Sequence, residues 1–414
     1  MNILFVSTSI PFPARQGVEL PLEHIIEKLA VSHTVDILAI VKDQQGRDDF
    51  SARRKNVPRA VRQINMVHAY SRSLPTAALR ELIGLAPTFL IDQYNSEELR
   101  RIFNHYHYDM VWVSPIGCIG LLQACNRLGL QVSDYLAVGH NDAKVTLYWD
   151  GFKQVLKGRV RTDWRLILQG LRIPWIWLYE RRYLRNAHFV HLQTPIECWR
   201  TRRVLGTKAN DVRLFDAPNG KKVELEAANY RGSNTKRVLF MTHLAGGRRS
   251  ESCWFLQKVW TRVLREIPDA RLWLVGTPPD KKTETDLLKF ARVKICGYVD
   301  HLVALFDSVA LSVIPTLHGT GWINRIADSL TAGVPVVGCS EPLKTIPGLK
   351  IGIHALKGDT AVEFADNIVK LLSDAELRDT LSNNSRQLSF GLPTWETTVT
   401  KIEAELMAVV NPEI

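Results

Sequence analysis

Residues 310–337 read ALSVIPTLHGTGWINRIADSLTAGVPVV. Ala310–Ile314 is an apolar run of strand length that stops at Pro315, and the loop after it carries Gly319 and Gly321. A helical pattern then covers Asn324–Ala332 and ends at Gly333, a residue suited to a helix terminus. A second apolar run, Val334–Val337, follows at once. Strand, glycine loop, helix and strand in this order predict a β-loop-α-β unit. The strands are continuously apolar rather than alternating, so they belong to a parallel sheet covered on both faces. The loop turns backbone N–H groups toward the positive end of a helix starting near Trp322, which suits a phosphate. Arg325 and Asp328 lie three apart and share a helix face. Arg325 suits a diphosphate and Asp328 the hydroxyls of a ribose. A surface ion pair is the alternative for these two residues taken alone.

The same alternation extends outward in both directions. Upstream in the second half, Val238–Met241, Ala270–Val275 and Val293–Cys296 read as strands and Glu251–Glu266 as a helix. The polar segment Arg231–Lys236 has linker composition. In the first half, Asn2–Val6, His33–Val41, Met110–Val113 and Val132–Val138 read as strands, followed by His188–Leu192 and Val212–Phe215. Leu20–Leu29 and Ile119–Leu128 read as helices. Around Leu178–Asn186 the pattern is again helical. These runs predict an α/β chain of two Rossmann-like halves, and 414 residues is more than one ordinary core holds.

Composition narrows the function. Apolar residues at 46% and charged residues at 23% fit a water-exposed globular chain. An excess of 53 Lys+Arg over 42 Asp+Glu gives +11 and favours anionic partners. The basic residues concentrate in Lys153–Arg203, where Trp164, Trp175, Trp177, Tyr179 and Tyr183 are interleaved. Such a stretch suits an anionic membrane surface, and a helix pair with core tryptophans is its structural alternative. The six cysteines include no C-x-x-C pair, which disfavours zinc and disulfides and favours a reducing compartment. No apolar run is long enough to span a bilayer. The opening MNILFVSTSIPFP lacks the basic region and cleavage site of a signal peptide. A cytoplasmic protein, peripheral on the inner face of the membrane at most, is expected. No Asp-x-Asp occurs, so no metal and no cofactor are expected.

The segment from Gly319 to Val337 resembles the donor-binding signature G-T-G-x-x-N-K-x-x-E-A-L-x-x-G-x-P-V-V of the retaining, family-four type of GT-B glycosyltransferases. These are the glycosyl transferases group 1, of bacterial polysaccharide type. Other stretches are similar to that family in the same order: MNILFVSTSIPFPARQG at the start, Ala217-Pro218-Asn219-Gly220, Trp254–Val275, Gly297-Tyr298-Val299-Asp300 and Trp395-Glu396. The chain departs from the pattern at Arg325 (for Lys), Asp328 (for Glu), Thr320 (for a second Glu) and Thr242 (for Gly). The opening loop has Gly17-Val18 in place of two glycines.

The resemblance implies a GT-B fold, two Rossmann-like domains facing each other across a cleft. Residues 1–230 form the acceptor-side domain and 231–392 the donor-side domain, and 393–414 is a C-terminal helix returning to the first. It implies transfer of a hexosyl unit, with retention, from a UDP- or GDP-linked sugar. The acceptor is a saccharide or lipid-linked saccharide, as in cell-surface polysaccharide or glycolipid assembly. His140, Asp142 and Arg325 are the catalytic candidates. Gly17, Arg248, Arg249, Gly319, Thr320, Gly321, Trp322, Arg325 and Asp328 are the donor-binding ones. For Gly17, His140, Arg248 and Arg249, an ordinary loop role is the alternative. A catalytically silent nucleotide-sugar binder and a nucleotide-sugar epimerase on the same fold stay open. Nucleic acid is not expected, because no nucleic-acid module is visible.

Overall fold

Strand β1 (Asn2–Ser7) is apolar from Ile3 to Val6, and it lies in the interior of a sheet. The fold is that of a computed structural model describing residues 1–15, 19–70, 90–104, 106–139, 149, 152–153, 164–230, 235–242, 249–316 and 321–411. Two compact units appear. One comprises Met1–Trp149, Leu168–Asn219 and Trp395–Ile414, and the other is built on Gly220–Thr394.

In the first unit β2 (Thr34–Val41), β3 (Gln63–His68), β4 (Tyr108–Val113), β5 (Ser133–Gly139), β6 (Phe189–Leu192) and β7 (Arg213–Asp216) join β1. The order is β3-β2-β1-β4-β5-β6-β7, with every pairing parallel. Chain direction across the sheet therefore reverses between β1 and β4. The helix Leu20–Ser32 buries Leu22, Ile25, Ile26 and Leu29 on one face of the sheet. The last helix, Trp395–Val410, adds Val399, Ile402 and Leu406 to that same core. Polar contacts reinforce the pairing: the His24 and Trp395 rings stack at 4.2 Å, and Ser32 Oγ donates to Glu403 at 2.7 Å.

The second unit holds β8 (Arg237–Met241), β9 (Arg271–Val275), β10 (Val293–Gly297), β11 (Leu311–Ile314), β12 (Val336–Gly338) and β13 (Leu356–Lys357). Their order, β10-β9-β8-β11-β12-β13, reverses between β8 and β11, again with parallel pairings only. Two Rossmann-like sheets are thus present, and each strand expected from the sequence lies within two residues of its place.

Three elements differ from expectation. Strands β3 and β13, at sheet edges, have no continuous apolar run to announce them. The helix expected over Leu178–Asn186 is far longer, Trp164–Leu184, with Pro174 inside it. Proline removes one backbone hydrogen bond and crowds the preceding turn, and the packing of Ile173, Ile176 and Trp177 with Val204 holds the helix through it. Among the cysteines, Cys339 is buried and Cys296 half-buried.

Candidate functional site

In an open parallel sheet, ligands bind outside the carboxyl ends of the strands where the winding reverses. In the second unit that point lies between β8 and β11. The Asn324–Thr331 helix brings Arg325 there: its Nη1 donates to the Met241 carbonyl at 2.5 Å, and its Nη2 to Thr316 Oγ1 at 3.2 Å. Met241 ends β8 and Thr316 follows β11, so the guanidinium is fixed across both strand ends. Trp322 packs its ring with Ile314, Ile326 and Leu330 and anchors the approach to this helix, beside the half-buried Gly321.

Asp328, one turn further on, is only 7% exposed, and its carboxylate has no hydrogen-bond partner among the described residues. Burial pushes its carboxyl up to about 6. Lys222 opposes that shift and Glu224 adds to it. The charges that bear on Asp328 are therefore those of Lys222 and Glu224, and the surface ion pair with Arg325 does not form.

The floor of this site is knitted from backbone. Thr242, just past β8, donates its amide to the Val275 carbonyl at 2.8 Å, and the Gly276 amide donates to Gly297 at 2.9 Å. Gly276 has φ 140°, and a Cβ there would lie 2.0 Å from the Thr242 carbonyl oxygen. Only glycine permits both the torsion and the approach.

A second polar site lies at the reversal point of the first sheet. A cavity of about 710 Å³ is lined by Ser7 and Ser9 after β1, Asp43 after β2 and Ser114 after β4, together with Asp48 and Asp49. Its wall is set by a buried ion pair: Arg53 Nη1 and Nη2 each meet a Glu19 oxygen at 2.9 Å. Arg53 also donates to the carbonyls of Ile10 and Pro13. Burial pushes the Glu19 carboxyl up. Hydrogen bonds from Arg53, Ser9 Oγ and the Arg15 amide outweigh it and hold Glu19 below its ordinary value.

The structure thus brings Gly321, Trp322, Arg325 and Asp328 together around one helix start. Gly17, His140, Asp142, Arg248, Gly319 and Thr320 lie outside the described residues, as does the side chain of Arg249. Sequence reasoning missed Thr316, Lys222 and the whole first-unit cavity. The run Ser51–Asn56 (SARRKN) looks like solvated surface, and nothing local marks Arg53 as buried.

Residues 235–374 match the model of the family described as Glycosyl transferases group 1. No curated protein sequence matches the chain. Among solved structures, a sucrose-phosphate synthase from Thermosynechococcus elongatus is 17% identical, with a TM-score of 0.68 over 100% of both chains. HepE from Anabaena, solved with UDP and glucose and with UDP-glucose, is 14% identical, with a TM-score of 0.63. That match covers 99% of this chain and 100% of HepE. TarM from S. aureus, in complex with UDP among other ligands, is 8% identical, with a TM-score of 0.63 over 99% of each chain. The chain shares the two-domain GT-B fold of these structures, and its residues 235–374 carry the match to the group 1 glycosyl transferase model.

Proposed function

We propose that this chain transfers a sugar from a nucleoside diphosphate donor to an acceptor hydroxyl, with the nucleotide at the carboxyl ends of β8 and β11. One observation carries the reading: a guanidinium fixed across two strand ends lies one turn from a buried carboxylate without a hydrogen-bond partner among the described residues. Burying such a carboxylate is costly unless something donates to it. Ribose hydroxyls are such donors, and Arg325 meets the diphosphate. The binding of UDP-glucose by HepE on the same fold supports a hexosyl donor.

In this reading Arg325, Arg248, Arg249 and the N–H groups of residues 319–321 stabilise the departing diphosphate, and Gly17 is a further donor-binding residue. Fixed dipoles and side chains of this kind do the work without a metal. His140 and Asp142 follow the end of β5 and serve the transferring carbon and the acceptor hydroxyl, with configuration retained. The acceptor enters the first-unit cavity, whose carboxylates and serine hydroxyls offer hydrogen bonds to sugar hydroxyls. A saccharide or lipid-linked saccharide fits, in cell-surface polysaccharide or glycolipid assembly at the cytoplasmic side.

Thermal-shift and calorimetric titration with UDP, GDP and their sugars tests the proposal. A true donor nucleotide raises Tm by mass action. Arg325→Ala weakens that nucleotide by roughly 1.5–3 kcal/mol, the range for a hydrogen bond to a charged group. If no nucleotide shifts Tm, or if the dissociation constant ignores Arg325→Ala, the assignment fails. Tight binding without turnover against any saccharide would instead mark a silent nucleotide-sugar binder.

A further inference from the structure

The helix Trp164–Leu184 presents an unusual outer face. Its exposed positions run Leu171, Pro174, Trp175, Leu178 and Arg182, at offsets of three, four, seven and eleven, and the exposed Arg185 follows the helix end. That spacing is one continuous stripe of a helix. Leu171 is 68% exposed, Trp175 38% and Leu178 48%, while Ile176, Tyr179, Tyr183 and Leu184 are buried on the opposite side. The core is therefore served by other residues, and the apolar half of the stripe faces water.

The neighbouring helix extends the same surface. Ile176 packs on Val204, which holds Pro195–Leu205 alongside. From there Trp199 stands 54% exposed, with the Arg203 guanidinium 4.2 Å above its ring. The acidic residues are turned inward: Glu180 is 0% exposed, and Glu197 is 2% exposed and caps its own helix. Among the described residues of these two helices, no carboxylate reaches the surface, whereas Arg182, Arg202 and Arg203 do, with Arg185 just past the end of the first. An apolar stripe with aromatic rings, flanked on its described helices by exposed arginines and no exposed carboxylate, matches one class of partner.

We propose that these two helices dock the protein on the surface of an anionic lipid bilayer, with Leu171, Trp175, Leu178 and Trp199 entering the interface. Arginines flank them and meet headgroup phosphates. The helices lie in the plane of the surface. Among the described residues no helix is long and apolar enough to cross a membrane. The proposal deepens the acceptor reading by giving a lipid-linked acceptor a place to be met. It does not depend on nucleotide binding, and its test uses no donor.

The experiment is flotation of the full chain with vesicles of phosphatidylcholine alone and of phosphatidylcholine mixed with phosphatidylglycerol, at low and high salt. Binding is expected only to the mixed vesicles and to fall as salt rises. Arg182→Gln with Arg185→Gln should weaken it by about 30-fold, near fivefold for each charge. Leu171→Ser with Leu178→Ser should weaken it by about tenfold or more. All four positions are exposed, and unchanged melting curves confirm folded variants. Three results overturn the proposal: no binding to the mixed vesicles, binding indifferent to lipid charge, or binding untouched by both variants. Loss of a self-associated form in the Leu171→Ser, Leu178→Ser variant, without loss of vesicle binding, would assign the stripe to a second copy of the chain and also overturn it.

Discussion

Asp328 sits in its fold at an electrostatic cost. Its carboxyl, pushed up to about 6 by burial, holds a proton in the folded chain that the unfolded chain releases near pH 4. Its contribution to stability is thus fully present below about pH 4 and is lost as pH rises through about 6. Above that, the ionised group costs on the order of 2–3 kcal/mol. Asp328→Asn should therefore raise the unliganded Tm at pH 7.5 and flatten the decline of stability between about pH 4 and 7. The same substitution should weaken UDP or GDP, since an amide accepts fewer ribose hydrogen bonds. Melting both proteins across pH checks this, and parallel profiles would refute it. The spacing of Arg325 and Asp328 was legible because both sit on one helix turn. Their supports were not: Thr316 comes from past a strand end and Lys222 from the start of the Gly220–Thr394 stretch. No local pattern links residues that only tertiary folding brings together.

At the level of elements, buried strands announced themselves and edge strands did not. β1, β4 and β11 are apolar on both faces and read as unbroken runs. β3 is half-exposed along most of its length, so its QINMVH mixes polar and apolar residues without a clear period. The long helix was foreshortened for another reason: Gly170 and Pro174 look like stops, and tertiary packing overrides them. A glycine that does act as punctuation is Gly276, at the end of β9. Gly276→Ala should destabilise the second unit by roughly 3–4 kcal/mol, combining a strained torsion with collision against the Thr242 carbonyl. Gly352 makes the comparison. It has φ 87° but nothing within 4 Å of an added Cβ, so Gly352→Ala should cost only about 1 kcal/mol. Urea denaturation of the two variants measures the difference, and equal losses would show that the close approach at Gly276 is slack.

For the whole molecule, the decisive feature is that the chain leaves the first unit at Asn219, builds the second, and returns with Trp395–Val410. Val399, Ile402 and Leu406 are each at most 1% exposed in the first unit's core. Burial of three such side chains is worth roughly 4–9 kcal/mol, comparable to the stability of an entire domain. A chain ending at Thr394 should consequently lose protease resistance within residues 1–219 while Gly220–Thr394 stays protected. Identical digestion patterns for the two chains would refute this. The same arrangement fixes an order of events during synthesis. On the ribosome the first unit is threaded out early but lacks its closing helix. Translating Gly220–Thr394 at bacterial-to-eukaryotic speeds of 5–20 residues per second adds roughly 9–35 s of waiting. Throughout that interval the part of the core that Val399, Ile402 and Leu406 fill is uncovered, a natural client for a chaperone that holds nascent chains.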